Sequence, residues 1–107
     1  MRMRKTKYGN KKTAGFDSKR EAMRYRDLDL LQKAGEISEL KTQVTFEVVP
    51  KQEGERAVKY IADFSYFDLN GNYVVEDVKS PATKTPAYVI KRKLMLHVHG
   101  IRVLETY

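Results

Sequence analysis

Two apolar runs, Ala57 to Phe67 and Tyr73 to Lys79, flank the dipeptide Asn70-Gly71. Asn-Gly between such runs is a strong hairpin signal, because both residues accept the positive φ of a tight turn. The chain is therefore expected to fold around an antiparallel pair. Successive side chains of a strand point to opposite faces. In the second run Asp77 and Lys79 share a face, and Glu76 points to the other. In the first run Ile61, Asp63, Ser65 and Phe67 share one face, while Tyr60, Ala62, Phe64 and Tyr66 share the other. Ionised groups on a Tyr- and Val-rich strand lose hydration when partly buried and need a partner or an ion. Loop length then decides whether the acids meet. A two-residue Asn70-Gly71 loop pairs Phe64 with Asp77 and leaves Asp63 on the far face. A three-residue loop, Asn70-Gly71-Asn72, pairs Asp63 with Lys79 and brings Asp63, Asp77 and Lys79 together. The second register, or an equivalent bulge, is expected, because only it assembles the acids.

The flanking segments supply the layers for this hairpin. Ser18-Lys19-Arg20-Glu21 matches a Ser-x-x-Glu capping box, and Ala22, Tyr25, Leu28, Leu31 and Ala34 recur at helical spacing up to Gly35. The Glu21 carboxylate has a local use on the Ser18 backbone N–H, yet it also lies on the core-facing side, from which it could reach a site on the sheet. Val44, Phe46 and Val48 mark a half-buried strand from Thr42 to Val49, followed by a polar turn from Pro50 to Gly54. Thr85 can cap a second helix that starts at Pro86 and runs to Gly100, after which Ile101, Val103 and the segment from Glu105 to Tyr107 read as a short final strand. His97 and His99 would point apart at the helix end and have no matching Cys or His, so they are assigned no metal role.

The 107 residues, 41% of them hydrophobic, suit one domain with a modest core. Cysteine is absent, which excludes disulfides and thiolate metal sites. No apolar run approaches the roughly 20 residues of a membrane span, and no signal-peptide core is visible, so a cytoplasmic protein is expected. Lys plus Arg outnumber Asp plus Glu by 21 to 14, a balance that suits either a polyanionic partner or a well-solvated surface. Residues 1–15 read as a basic flexible arm and 16–107 as the folded domain. Candidate phosphate contacts are Lys5, Lys7, Lys11 and Lys12 of the arm, with Lys84, Lys91 and Arg92 around the second helix.

The order helix, three strands, helix, strand carries acids at Glu21, Asp63 and Asp77 and an amine at Lys79. Asp63 followed by Asp77-Val78-Lys79 resembles the bipartite motif of the PD-(D/E)XK phosphodiesterase superfamily. Ala62 stands where that superfamily often has proline, a departure that touches no chemistry. The segments Lys7 to Lys12, Phe16 to Ala22, Ala34 to Ser38, Tyr60 to Phe64 and Val75 to Lys79 resemble a family of small, mostly phage-encoded endonucleases that are Holliday-junction-resolvase-like. The resemblance implies a single restriction-endonuclease-like α/β core of the α+β kind, ordered αβββαβ, with a mixed sheet flanked by two helices.

It also implies chemistry. Phosphodiester hydrolysis needs an activated water, a neutralised phosphate and a stabilised leaving oxygen, which hard divalent cations supply, and carboxylate oxygens suit Mg²⁺ or Mn²⁺. By resemblance, Asp63 and Asp77 are the primary metal ligands, joined by the Val78 carbonyl and, directly or through water, by Glu21. Lys79 orients the attacking water and offsets charge on the phosphate, and Lys91 matches a position that often carries a further polar residue. The same lysine at 79 could merely counter the carboxylates. The expected activity is a Mg²⁺-dependent DNA endonuclease of phage or prophage recombination or replication. A small domain without a separate reader favours branched or junction DNA over long sequences, and a homodimer would suit symmetric cuts. Two other readings stay open: a non-catalytic nucleic-acid-binding module, and a nuclease subunit active only beside a partner.

Overall fold

Ser18 starts the first helix, α1 (Lys19–Lys33), its Oγ accepting the Glu21 N–H at 3.0 Å. The computed structural model describes residues 18–107, and the arm cations Lys5, Lys7, Lys11 and Lys12 lie outside them. Ala22 and Leu28 bury the inward stripe of α1, whereas Leu31 and Ala34, expected to continue it, are exposed.

Strand β1 (Ile37–Val49) begins ahead of the expected Thr42. Ile37 is buried with Ala22 and Leu28, but a register shift between Ser38 and Lys41, with Glu39 at φ 55°, interrupts the alternation. That bulge hides the early part of the strand from a period-2 reading.

Strands β2 (Val58–Asp68) and β3 (Tyr73–Val78) form the expected hairpin with a three-residue loop, but the loop is Leu69-Asn70-Gly71. Asp68 organises it: its Oδ1 accepts the Asn70 and Asn72 N–H groups, each at 2.9 Å, and its carbonyl accepts the Gly71 N–H at 3.0 Å. Gly71 stands at φ 82°, the left-handed residue that three-residue hairpins need. Starting the loop one residue earlier moves the register by two. Faces are kept and partners change: Phe64 pairs with Glu76, and Asp63 comes up against Asp77 instead of the expected Lys79.

A further correction concerns β2. Tyr60 and Ala62 pack with Val48, Val75, Tyr88 and Met95, whereas Phe64 and Tyr66 pack with Ala22, Leu28 and Ile37. These four residues, expected on one face, divide between two, so the strand turns over at Asp63.

After a single 3₁₀ turn (Pro81–Thr83), Thr85 Oγ1 accepts the Tyr88 N–H at 3.2 Å and α2 (Pro86–Leu94) begins with proline at its first position. The helix does not run unbroken to Gly100: Met95–His99 widen into a π turn, closed by Gly100 at φ 70°. His99 Nε2 lies 2.7 Å from the Glu47 carbonyl and its ring packs on Phe46, which ties the helix end to β1. The final strand, β4 (Leu104–Thr106), runs parallel to β3. The result is an α+β fold with a four-stranded mixed sheet, ordered β1-β2-β3-β4. The α1 cluster includes Val74 and Val78 of β3, and the α2 cluster includes Val75, so the helices cover opposite faces. Among the described residues no helix is long and apolar enough to cross a membrane.

Candidate active site where β2 turns over

The ladder between β2 and β3 is regular as far as Phe64 and Glu76. Beyond that point two carboxylates take over the backbone donors. Asp63 Oδ2 accepts the Val78 N–H at 2.8 Å, and Asp77 Oδ1 accepts the Asp63 N–H at 3.2 Å. The turnover of β2 has swung the Asp63 N–H toward β3, and this crossed pair of bonds satisfies both orphaned donors. Asp77 is 2% exposed, and its Oδ2 accepts the Tyr60 hydroxyl. Burial, then the hydrogen bond and the negative charge of Asp77, push Asp63 up to about 8, with Glu21 adding to the repulsion. The same burial and the Asp77 charge drive the Tyr60 phenol far above its usual range, so it stays a donor.

Lys79 follows on the same face. Its Nζ lies 3.7 Å from Asp77 Oδ2 and 4.1 Å from the centre of the Tyr88 ring, a position that pairs it with one anion and one π face. A cavity of about 280 Å³ opens beside Asp77 and Lys79, with Tyr60, Tyr88, Lys59 and Lys91 also in its lining; of the two paired acids only Asp77 lines it. A larger groove of about 570 Å³ lies on the α1 side, lined by Lys19, Arg20 and Tyr107 among others, and holds none of the paired acids. Chemistry, not volume, selects the smaller one.

Glu21 is only 5% exposed and its charge reaches Asp63. The Ser18 Oγ takes the Glu21 N–H, while the Glu21 carboxylate accepts the Gln43 amide at 3.0 Å. Among the described residues no three acids or histidines converge as a metal cluster. The expected three-carboxylate set is thus present as a close pair, Asp63 and Asp77, with Glu21 bonded to Gln43 and near enough for its charge to act on Asp63. Glu76, which parity set aside, is on the far face. It is fully buried, its two oxygens bonded to Arg24 Nε at 2.5 Å and Nη2 at 3.0 Å and to the Tyr66 hydroxyl at 2.8 Å, and it locks α1 against β3.

The expected phosphate contacts separate. Lys84 Nζ lies 2.9 Å and Arg92 Nη1 2.7 Å from Glu105, whose carboxylate also accepts the Tyr88 hydroxyl at 2.7 Å. Burial opposes the Glu105 charge, but these three donors outweigh it and hold the carboxyl down to about 2. Two of the three domain cations therefore have their charge committed to Glu105. Lys91 faces the cavity over Asp77, and Lys59, which sequence reasoning missed, faces it from β2. Tyr60, Gln43 and Glu105 were missed as well. Tyr60 alone left a trace, an aromatic three residues before an acid on the same strand.

Comparison with curated proteins and with solved structures returned no match. Residues 4–103 match the family model described as a protein of unknown function (DUF1064), and over that span the chain belongs to this family.

Proposed function

We propose that the protein is a metal-dependent phosphodiesterase acting on DNA, with a PD-(D/E)XK-like core and its active centre at Asp63, Asp77 and Lys79. The supporting observation is the crossed pair of carboxylates where β2 turns over, with an ammonium 3.7 Å from one of them. Mg²⁺ is commonly held by one or two carboxylates and completes its shell with waters and substrate phosphate oxygens, so a two-carboxylate site fits it. Burial contributes most to pushing Asp63 up to about 8, and the neighbouring negative charges of Asp77 and Glu21 add to it; a divalent cation bound between the carboxylates would relieve that repulsion. Bound there, Mg²⁺ or Mn²⁺ would supply a nucleophilic water and neutralise phosphate charge.

The chain's own residues do the rest. Asp63 and Asp77 are fixed by backbone donors before any ligand arrives, so the site is preorganised. Tyr60 holds Asp77 from beneath. Lys79, steadied over the Tyr88 ring, meets the phosphate oxygen on which charge develops and orients the attacking water. Loss of one such charge-stabilising donor costs about 10²–10³ in rate. Lys91 and Lys59 border the same cavity and carry the flanking phosphates. Branched or junction DNA is the preferred substrate of so small a domain, and a homodimer would deliver paired cuts.

Purified protein incubated with Mg²⁺ and with linear, flapped and four-way DNAs, beside Asp77→Asn and Lys79→Ala, tests this. Cleavage by the wild type and a loss of at least about 10²-fold in both variants is the expected result. Equal cutting by the variants, or DNA binding by all three without cutting, would overturn the reading in favour of contamination or of a non-catalytic binding module.

A further inference from the structure

Gln43 occupies a conformation that its strand does not call for. It stands at φ 53° within β1, in the left-handed region that L-residues other than glycine rarely enter. The neighbouring pairs of the ladder are Thr42 with Phe64 and Val44 with Ala62, and the pair skipped between them is Gln43 with Asp63. The irregularity of β1 thus lies directly across from the point where β2 turns over. An outlier fixed by its surroundings at such a place points to a function that needs it.

The side chain shows what that function is. Gln43 Nε2 donates to Glu21 Oε2 at 3.0 Å, across 22 residues of sequence. The geometry points to Gln43 as the positioning residue that holds the Glu21 carboxylate toward Asp63 and Asp77 for divalent-cation binding, an inference that rests on the metal-dependent reading of this site. An extended glutamine at 43 would pair with Asp63 and project perpendicular to the sheet. The left-handed backbone turns the amide toward α1 instead. The amide is also the suitable chemistry: it bonds one carboxylate oxygen yet leaves the negative charge intact, whereas a lysine or arginine would cancel it before a cation arrived. Groups that hydrogen-bond a ligating carboxylate typically govern metal affinity by about 10–100-fold.

Glycine takes a positive φ without penalty, which separates positioning from simple architecture. Calorimetric Mn²⁺ titration and metal-free thermal unfolding of the wild type, Q43G, E21Q, Q43G/E21Q and D77N give the test. Without metal Q43G is expected to melt close to the wild type, because relief of the left-handed strain offsets the lost hydrogen bond to Glu21, yet to bind Mn²⁺ about 10–100-fold more weakly. If Gln43 acts through Glu21, Q43G/E21Q binds no more weakly than E21Q alone. Wild-type affinity in Q43G, or a fully additive loss in the double variant, would overturn the inference. D77N identifies a failure of the underlying reading: Mn²⁺ binding that is absent in the wild type, or equal in D77N, removes the metal site itself. Loss in D77N with no loss in Q43G removes only the role of Gln43.

Discussion

Asp63→Asn replaces a carboxyl by its near-isostere, and in the absence of metal it should remove a pH dependence. The Asp63 carboxyl is raised from about 3.9 in an unfolded chain to about 8 in the fold, through burial and the neighbouring Asp77. Between those values the native state holds a proton that the unfolded state has released. Stability is therefore fully present below about pH 4 and is lost as pH rises through about 8. One whole proton corresponds to at most about 1.4 kcal/mol per pH unit, or roughly 2.7 kcal/mol between pH 5 and 7. Asp63 is only partly buried and shares its interaction with Asp77, so screening reduces this to about 1–1.5 kcal/mol. At roughly 4–8 °C per kcal/mol for a domain of this size, the wild type should melt about 5–10 °C lower at pH 7 than at pH 5. The amide introduced by D63N can still accept the Val78 N–H and can donate to Asp77 without a charge, so the variant should change far less. The measurement is thermal unfolding by circular dichroism in EDTA across pH 5–8, taken as wild type minus variant to cancel all other titrations. A difference that stays flat over that range would refute the account of the carboxylate pair.

Arg24→Met should destabilise the protein by about 3–5 kcal/mol in urea unfolding, because it strands the fully buried Glu76 without its cation; R24M/E76L should recover much of that loss. Glu105→Gln should cost about 1–3 kcal/mol at neutral pH, since three donors lose their charged acceptor. It should also flatten the acid limb: the depressed Glu105 contributes stability above about pH 4.5 that is lost as pH falls toward about 2, which acid titration of both proteins would read out. On the proposed function, Lys91→Ala should weaken DNA binding and lower the slope of log affinity against log salt by about one. Arg92→Ala, whose charge is already held by Glu105, should leave that slope nearly unchanged.

Much of the scaffold was legible because its signals are local. Ser18 and Thr85 cap their helices as their sequence contexts indicate, Asn70-Gly71 joins β2 to β3, and strand parity alone separated Asp77 from Glu76. The loop offset was not legible. Asn-Gly calls for a turn, but the Asp68 carboxylate, which bonds two backbone donors, chose where the turn begins, and one residue of offset exchanged Lys79 for Asp77 opposite Asp63. The Ala34 end of the α1 stripe was over-read for a related reason: periodicity marks a face but not how far the sheet extends beneath it.

Patterns along the chain were enough for the αβββαβ order, the hairpin and the shared face of Asp77 and Lys79, since caps, turns and alternation act within a few residues. Packing alone determined the turnover of β2 at Asp63, the left-handed Gln43 across from it, the Arg24 lock on Glu76 and the capture of Lys84 and Arg92 by Glu105. Each of these joins groups at least 13 residues apart. Contacts over such separations depend on how two helices and a twisted sheet share one small core, and no short stretch of sequence encodes that.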